Sequence, residues 1–139
     1  MMKPFSLLLL LAALVSCATA PSLRSNAGTV AVDKLIGEWL LVSKHSESNQ
    51  NLLTISFEYE GRYLAKIGCN QRTGHYRLVD GQLVFVSGDQ TLLACNGYPS
   101  DTLRMAENFL NSPSLRVHQP SESELDFRAG DQTWSFTRR

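Results

Sequence analysis

Residues 53–67 read LTISFEYEGRYLAKI, and their pattern decides the architecture. Leu53, Ile55, Phe57 and Tyr59 take every second position with Thr54, Ser56 and Glu58 between them, and after Gly61 the alternation resumes at Tyr63, Ala65 and Ile67. A period of two belongs to a strand with one face buried, and the intervening glycine marks a turn, so the stretch predicts an antiparallel hairpin. A second hairpin is predicted from His75-Tyr76-Arg77-Leu78-Val79 through Asp80-Gly81 into Leu83-Val84-Phe85-Val86. Asp-Gly tolerates the positive φ that a two-residue turn demands at both positions.

Working outward, Trp39-Leu40-Leu41-Val42 opens the series, and three closing segments lie around Leu115–Val117, Leu125–Phe127 and Trp134–Phe136. Between the second hairpin and these segments the period changes. Leu103, Ala106 and Leu110 fall at helical spacing, with Ser100 or Asp101 placed to cap and Pro113 to stop the chain. The sum is about eight strands and one helix: an α+β fold dominated by a curled antiparallel β-sheet or partly closed barrel. Trp39, Phe57, Tyr63, Tyr76, Phe85, Phe127, Trp134 and Phe136 are its expected core, because strand-spaced aromatics mostly bury area.

The chain of 139 residues is one domain in length, and its 13 Lys+Arg balance 13 Asp+Glu. A net charge of zero with scattered cations lacks the basic footprint of nucleic-acid binding, so no nucleic-acid partner is expected. The first sixteen residues, MMKPFSLLLLLAALVS, carry one early cation, an apolar run and then small residues. The run is too short to cross a hydrocarbon core, which takes roughly 20 helical residues, but has the size of a signal-peptide core.

The segment closes on Leu14-Val15-Ser16-Cys17, which looks like the lipobox of bacterial lipoproteins. By that resemblance Cys17 receives a diacylglyceryl thioether, cleavage falls before it, and acyl chains anchor the protein to a membrane. Ala18 stands where an Asp usually retains such proteins at the inner membrane, so the expected address is the outer membrane, facing the periplasm. Residues 17–32 are small, polar and irregular, a flexible tether with a reach of roughly 20 Å. Residues 33–139 form the folded domain.

With Cys17 acylated, Cys69 and Cys95 remain, each at an element boundary, and a disulfide between them is predicted. Closing that loop contributes on the order of 3.5 kcal/mol. The alternative is two reduced cysteines acting as small hydrophobes. A Cys69–His75 nucleophile pair is disfavoured, since Gly74 suggests that the strand has turned between them and a disulfide would consume the thiol. His45, His75 and His118 are isolated from one another and from the cysteines, so no metal or cofactor is implied. Glu58 and Glu60 would share a strand face, but paired acids there are more often a solvated edge than a catalytic pair. Asn70 and Thr91, beside the cysteines, are the candidate ligand- or partner-contacting residues, with a purely structural role as the commoner explanation.

Together these residues resemble the META domain, the family that includes the heat-shock protein HslJ and many small envelope lipoproteins. The likeness runs through Leu35-Ile36-Gly37-Glu38-Trp39-Leu40, then Gly68-Cys69-Asn70 with Gly74 and Tyr76. It continues through Thr91-Leu92-Leu93-Ala94-Cys95, with Leu93 where the family has Met, and ends at Leu125, Phe127, Trp134 and Phe136. It departs at Asn96-Gly97-Tyr98-Pro99-Ser100, ahead of a helix in which Glu107 is the candidate family acid. The resemblance implies a compact β-rich, non-enzymatic domain with no catalytic residues to carry over and loose associations with stress response, antibiotic tolerance, secretion or motility; an envelope protein is a possible partner, of unknown identity. The competing readings are a carrier of small apolar ligands of lipocalin-like habit and, further off, a thiol enzyme.

Overall fold

The computed structural model describes residues 29–42 and 52–139. The expected signal peptide, Cys17, most of the tether and His45 lie outside the described residues.

Eight strands form a closed antiparallel barrel, each paired with the next and the last with the first. They are β1 (Gly37–Leu41), β2 (Leu53–Phe57), β3 (Arg62–Ile67), β4 (Asn70–Val79), β5 (Gln82–Gln90), β6 (Leu115–Ser121), β7 (Glu124–Ala129) and β8 (Gln132–Arg138). A one-turn helix α1 (Val32–Leu35), additional to the single helix expected, precedes β1, and α2 (Ser100–Leu110) joins β5 to β6. Closure is made by β1 against β8, with Trp39 opposite Arg138 and Leu41 opposite Phe136. A barrel has no free sheet edge wherever its ladder is complete, which removes the hazard of strands pairing between molecules.

Both predicted hairpins form. In β4–β5 the turn residues Asp80 and Gly81 have φ of 52° and 74°, the pair of left-handed conformations that Asp-Gly accommodates. In β2–β3 the strand ends at Phe57 and a single 3-10 turn spans Tyr59–Gly61. Tyr59, expected on the buried face, is therefore 73% exposed. Gly74 does not turn the chain, contrary to expectation; it lies inside β4. Gly74 faces Gly88 whereas His75 faces Val86, so β5 carries one extra residue, position 87. This β-bulge sharpens the local twist that lets a sheet curl. Gly88 is required beside it, because a Cβ there would overlap the Thr73 carbonyl oxygen.

Strand alternation sends Trp39, Ile55, Phe57, Tyr63, Ala65, Tyr76, Leu83, Leu115, Leu125, Phe127, Trp134 and Phe136 into the barrel. One seam is short: β5 and β6 pair only at Gln82–Arg116 and Leu83–Leu115. Helix α2, the connection between those strands, adds a side chain to the barrel's core. Its Phe109, 0% exposed, puts its ring 5.4 Å from Phe85, 5.2 Å from Phe127, 5.7 Å from Trp134 and 5.0 Å from Phe136, centroid to centroid. The helix starts after Pro99 rather than from a Ser100 or Asp101 side-chain cap. Pro99 has extended backbone, and its carbonyl accepts the N–H groups of Thr102 and Leu103, both at 3.1 Å.

Helix α1 covers the barrel at the start of β1. Leu35 is buried there and its carbonyl accepts the Trp39 indole N–H at 2.7 Å. Arg138 ties β8 to the junction of α1 and β1 and to the turn after β6. Its guanidinium lies 4.2 Å from the Trp39 ring and donates to the carbonyls of Ile36 (2.9 Å), Lys34 (3.1 Å) and Glu122 (3.2 Å). Val30, within the expected tether, is already buried at 8% exposure.

Candidate functional site

Cys69 and Cys95 form a disulfide with their Cα atoms 5.4 Å apart. Cys69 occupies the turn between β3 and β4, whose other residue, Gly68, has φ of 56°. A side chain at Gly68 would meet Leu103 at 2.9 Å and Tyr98 at 3.3 Å, so this turn is also where the approach to α2 packs down. Cys95 lies in the segment that leads from β5 to that helix.

Asn70, first residue of β4, organises the same segment. Its Oδ1 accepts the Leu93 N–H at 2.7 Å and the Thr91 hydroxyl at 3.0 Å, and its Nδ2 donates to the Leu93 carbonyl at 3.0 Å and to Cys95 Sγ at 3.2 Å. The Thr91 hydroxyl oxygen accepts the Gln71 N–H at 2.9 Å, and the Thr91 N–H reaches the Gln71 carbonyl at 3.0 Å. Cys95 Sγ also receives the Cys69 N–H at 3.2 Å. Asn70 and Thr91 are thus joined to Cys69 and Cys95 in one clasp, with their polar groups spent on holding the segment. At its outer side the clasp presents Leu92 and Leu93, 86% and 62% exposed.

The other sequence candidates are not brought together. His75 stands in β4 opposite Arg62 and Val86, while Cys69 is tied to Cys95. Glu58 and Glu60 do not share a strand face, because β2 has ended; Glu58 faces Arg62 at 3.3 Å and Glu60 sits in the 3-10 turn with φ of 64°. Among the described residues no three of His, Cys, Asp and Glu converge as a metal site. An open groove of about 620 Å³ crosses the bulge, lined by side chains of mixed charge such as Glu58, Arg62, His75 and Asp89. No described helix is long and apolar enough to cross a membrane.

Two residues central to the arrangement escaped the reading by pattern. Phe109 sits one place off the Leu103–Ala106–Leu110 series, though a helix buries a face wide enough to include it. Arg138, a terminal cation by sequence, carries no local signal of its role.

The fold is shared with solved structures. A protein from Burkholderia xenovorans, determined by NMR, superposes with a TM-score of 0.60 at 20% identity, covering 94% of this chain and 99% of that one. A second NMR structure gives a TM-score of 0.62 at 17% identity over 78% and 95% of the two chains. No curated protein matches the sequence. The sequence does match the META domain over residues 33–135, from just inside α1 into β8. That match takes in β1 to β7, the first part of β8 and both halves of the clasp, and on it the chain belongs to the META domain family.

Proposed function

We propose that this protein is a lipid-anchored envelope protein, held through acylated Cys17 at the outer membrane and facing the periplasm. Its META domain works there as a non-enzymatic, stress-related structural or interaction module. The observation that carries the module reading is the filled barrel. Phe57, Phe109, Phe127 and Phe136 are buried and pack ring against ring, with the partly buried Phe85 against them, so the domain's own side chains take up core space that a carried ligand would need. What remains for recognition is the outer surface. The anchoring part rests on Leu14-Val15-Ser16-Cys17 and on Ala18 after it. A disulfide fits an oxidising compartment, and two or more acyl chains give durable attachment where one does not.

The test is mass spectrometry of the mature protein from membranes under non-reducing conditions, with fractionation of the two membranes. The expected species begins at Cys17, carries the mass of a diacylglyceryl group and acyl chains, and lacks the two protons of a reduced Cys69–Cys95 pair. An unprocessed cytosolic chain with three free thiols as the dominant form overturns the proposal. An apolar small molecule retained in native spectra would instead favour the carrier reading.

A further inference from the structure

We infer that the Cys69–Cys95 disulfide is an exchange site for an external dithiol, with Cys69 as the sulfur attacked and Cys95 as the leaving thiolate. The two sulfurs differ in the two respects that govern thiol–disulfide exchange, access and leaving-group stability. Cys69 is exposed in the β3–β4 turn, whereas Cys95 is half-buried. Cys95 Sγ accepts two N–H groups at 3.2 Å, one from the Cys69 backbone and one from Asn70 Nδ2. N–H donors aimed at a sulfur favour its anionic form and so make it the better leaving group.

The orientation of the Asn70 amide is dictated by its surroundings. Its oxygen must face the Leu93 N–H, which only donates, so its nitrogen must face the Leu93 carbonyl and Cys95 Sγ. The Leu93 oxygen lies 3.7 Å from Cys95 Sγ and 4.0 Å from Cys69 Sγ, so it bears on both sulfurs, whereas the Asn70 and Cys69 N–H donors reach Cys95. Asn70 is a positioning residue in this chemistry, acting through Cys95.

The exchange balances as follows. A thiolate of the dithiol attacks Cys69 Sγ, forming a mixed disulfide while the Cys69–Cys95 bond breaks and its electron pair departs on Cys95 Sγ. The second thiol of the partner, once deprotonated, attacks its own sulfur in the mixed disulfide. Cys69 leaves as a thiolate that takes a proton from water. The chain has gained two electrons and the dithiol is oxidised to a disulfide. Because Asn70 holds both backbone groups of Leu93, the segment bearing Cys95 stays beside Cys69, so re-oxidation by a disulfide partner meets a preformed pair. This reading does not depend on the anchor.

The experiment uses the full-length oxidised protein, with any free thiol at Cys17 alkylated beforehand, and reduced glutathione as the probe. Acid quenching, alkylation and mass spectrometry locate the mixed disulfide. Glutathione is expected on Cys69 with the free thiol on Cys95; glutathione on Cys95, or spread equally over both, overturns the inference. Asn70→Asp keeps the two acceptor contacts, removes the donors to Cys95 and to the Leu93 carbonyl and sets a carboxylate beside the sulfur, all of which oppose a Cys95 thiolate, and is expected to slow the first step about tenfold. An unchanged rate in a folded N70D protein also overturns it. In Cys69→Ser, which retains the backbone donor, thiolate absorbance should place the Cys95 titration below the ordinary thiol range, and N70D in that background should move it up. If N70D does not fold, the site of glutathione attachment in the unaltered protein decides alone.

Discussion

The side-chain amide of Asn70 pairs with both backbone groups of Leu93, accepting its N–H at 2.7 Å and donating to its carbonyl at 3.0 Å. One side chain thus stands in for the strand neighbour that the segment after β5 does not have. Asn70→Ala removes both bonds together with the Thr91 contact and is expected to cost about 2 kcal/mol, at a net value of roughly 1 kcal/mol or less per partly exposed bond. Urea denaturation with the disulfide intact measures it. A loss below a few tenths of a kcal/mol would show that the disulfide alone holds the segment.

Replacing both Cys69 and Cys95 by serine tests the covalent half of the clasp. Loop closure sets the expected loss at about 3.5 kcal/mol, because the cross-link restricts the unfolded chain more than the folded one. Thermal melting of the oxidised protein against the double variant gives the comparison, and reduction of the unaltered protein should reproduce most of the shift.

Phe109 is the side chain through which α2 enters the aromatic core, and its truncation leaves a void bounded by four aromatic rings. Phe109→Ala is expected to cost about 3–5 kcal/mol, the usual range for a buried Phe. Leu92→Ser, at an exposed position, should stay within about 0.5 kcal/mol. Chemical denaturation of the two variants side by side decides whether α2 is part of the core or a surface appendage.

Tyr76 supplies a pH test. Its phenol is buried against the Phe57 ring and donates to the Glu58 carbonyl at 3.1 Å, and burial raises its pKa above the ordinary value. A raised value means that the folded state holds the proton more tightly than the unfolded chain. The associated stability is therefore fully present below the ordinary phenol value of about 10 and is lost as pH rises through that value toward the folded one. Denaturation midpoints for the unaltered protein should fall above about pH 10. Tyr76→Phe should flatten that fall and cost about 1 kcal/mol at neutral pH.

Much of this was legible along the chain. Alternation from Leu53 to Ile67 and the Asp80-Gly81 turn are local signals, read within one hairpin, and the structure builds both hairpins from them. The clasp was partly legible: Cys69 and Cys95 stand at element ends, where a covalent link is sterically open. That Asn70 faces Leu93 was not, because the contact spans more than twenty residues and depends on how far β4 continues past Gly74. Gly74 itself misled, since a glycine within a strand marks a bulge as readily as a turn. Tyr59 misled for a related reason, as alternation says nothing about where a strand stops.

By itself, then, the sequence determined the number and pairing sense of the strands, the place of α2, the META resemblance and the aromatic character of the core. Alternation period, turn residues and helix spacing act within one or two elements and need no knowledge of the rest. The closed structure alone shows that β8 returns to β1, that β5 carries its extra residue between the partners of Gly74 and His75, that Phe109 joins the aromatic core, and that Arg138 fastens the last strand to the first. Those features depend on accumulated twist and on which side chain fills the space left over, and both are sums over the whole closed sheet.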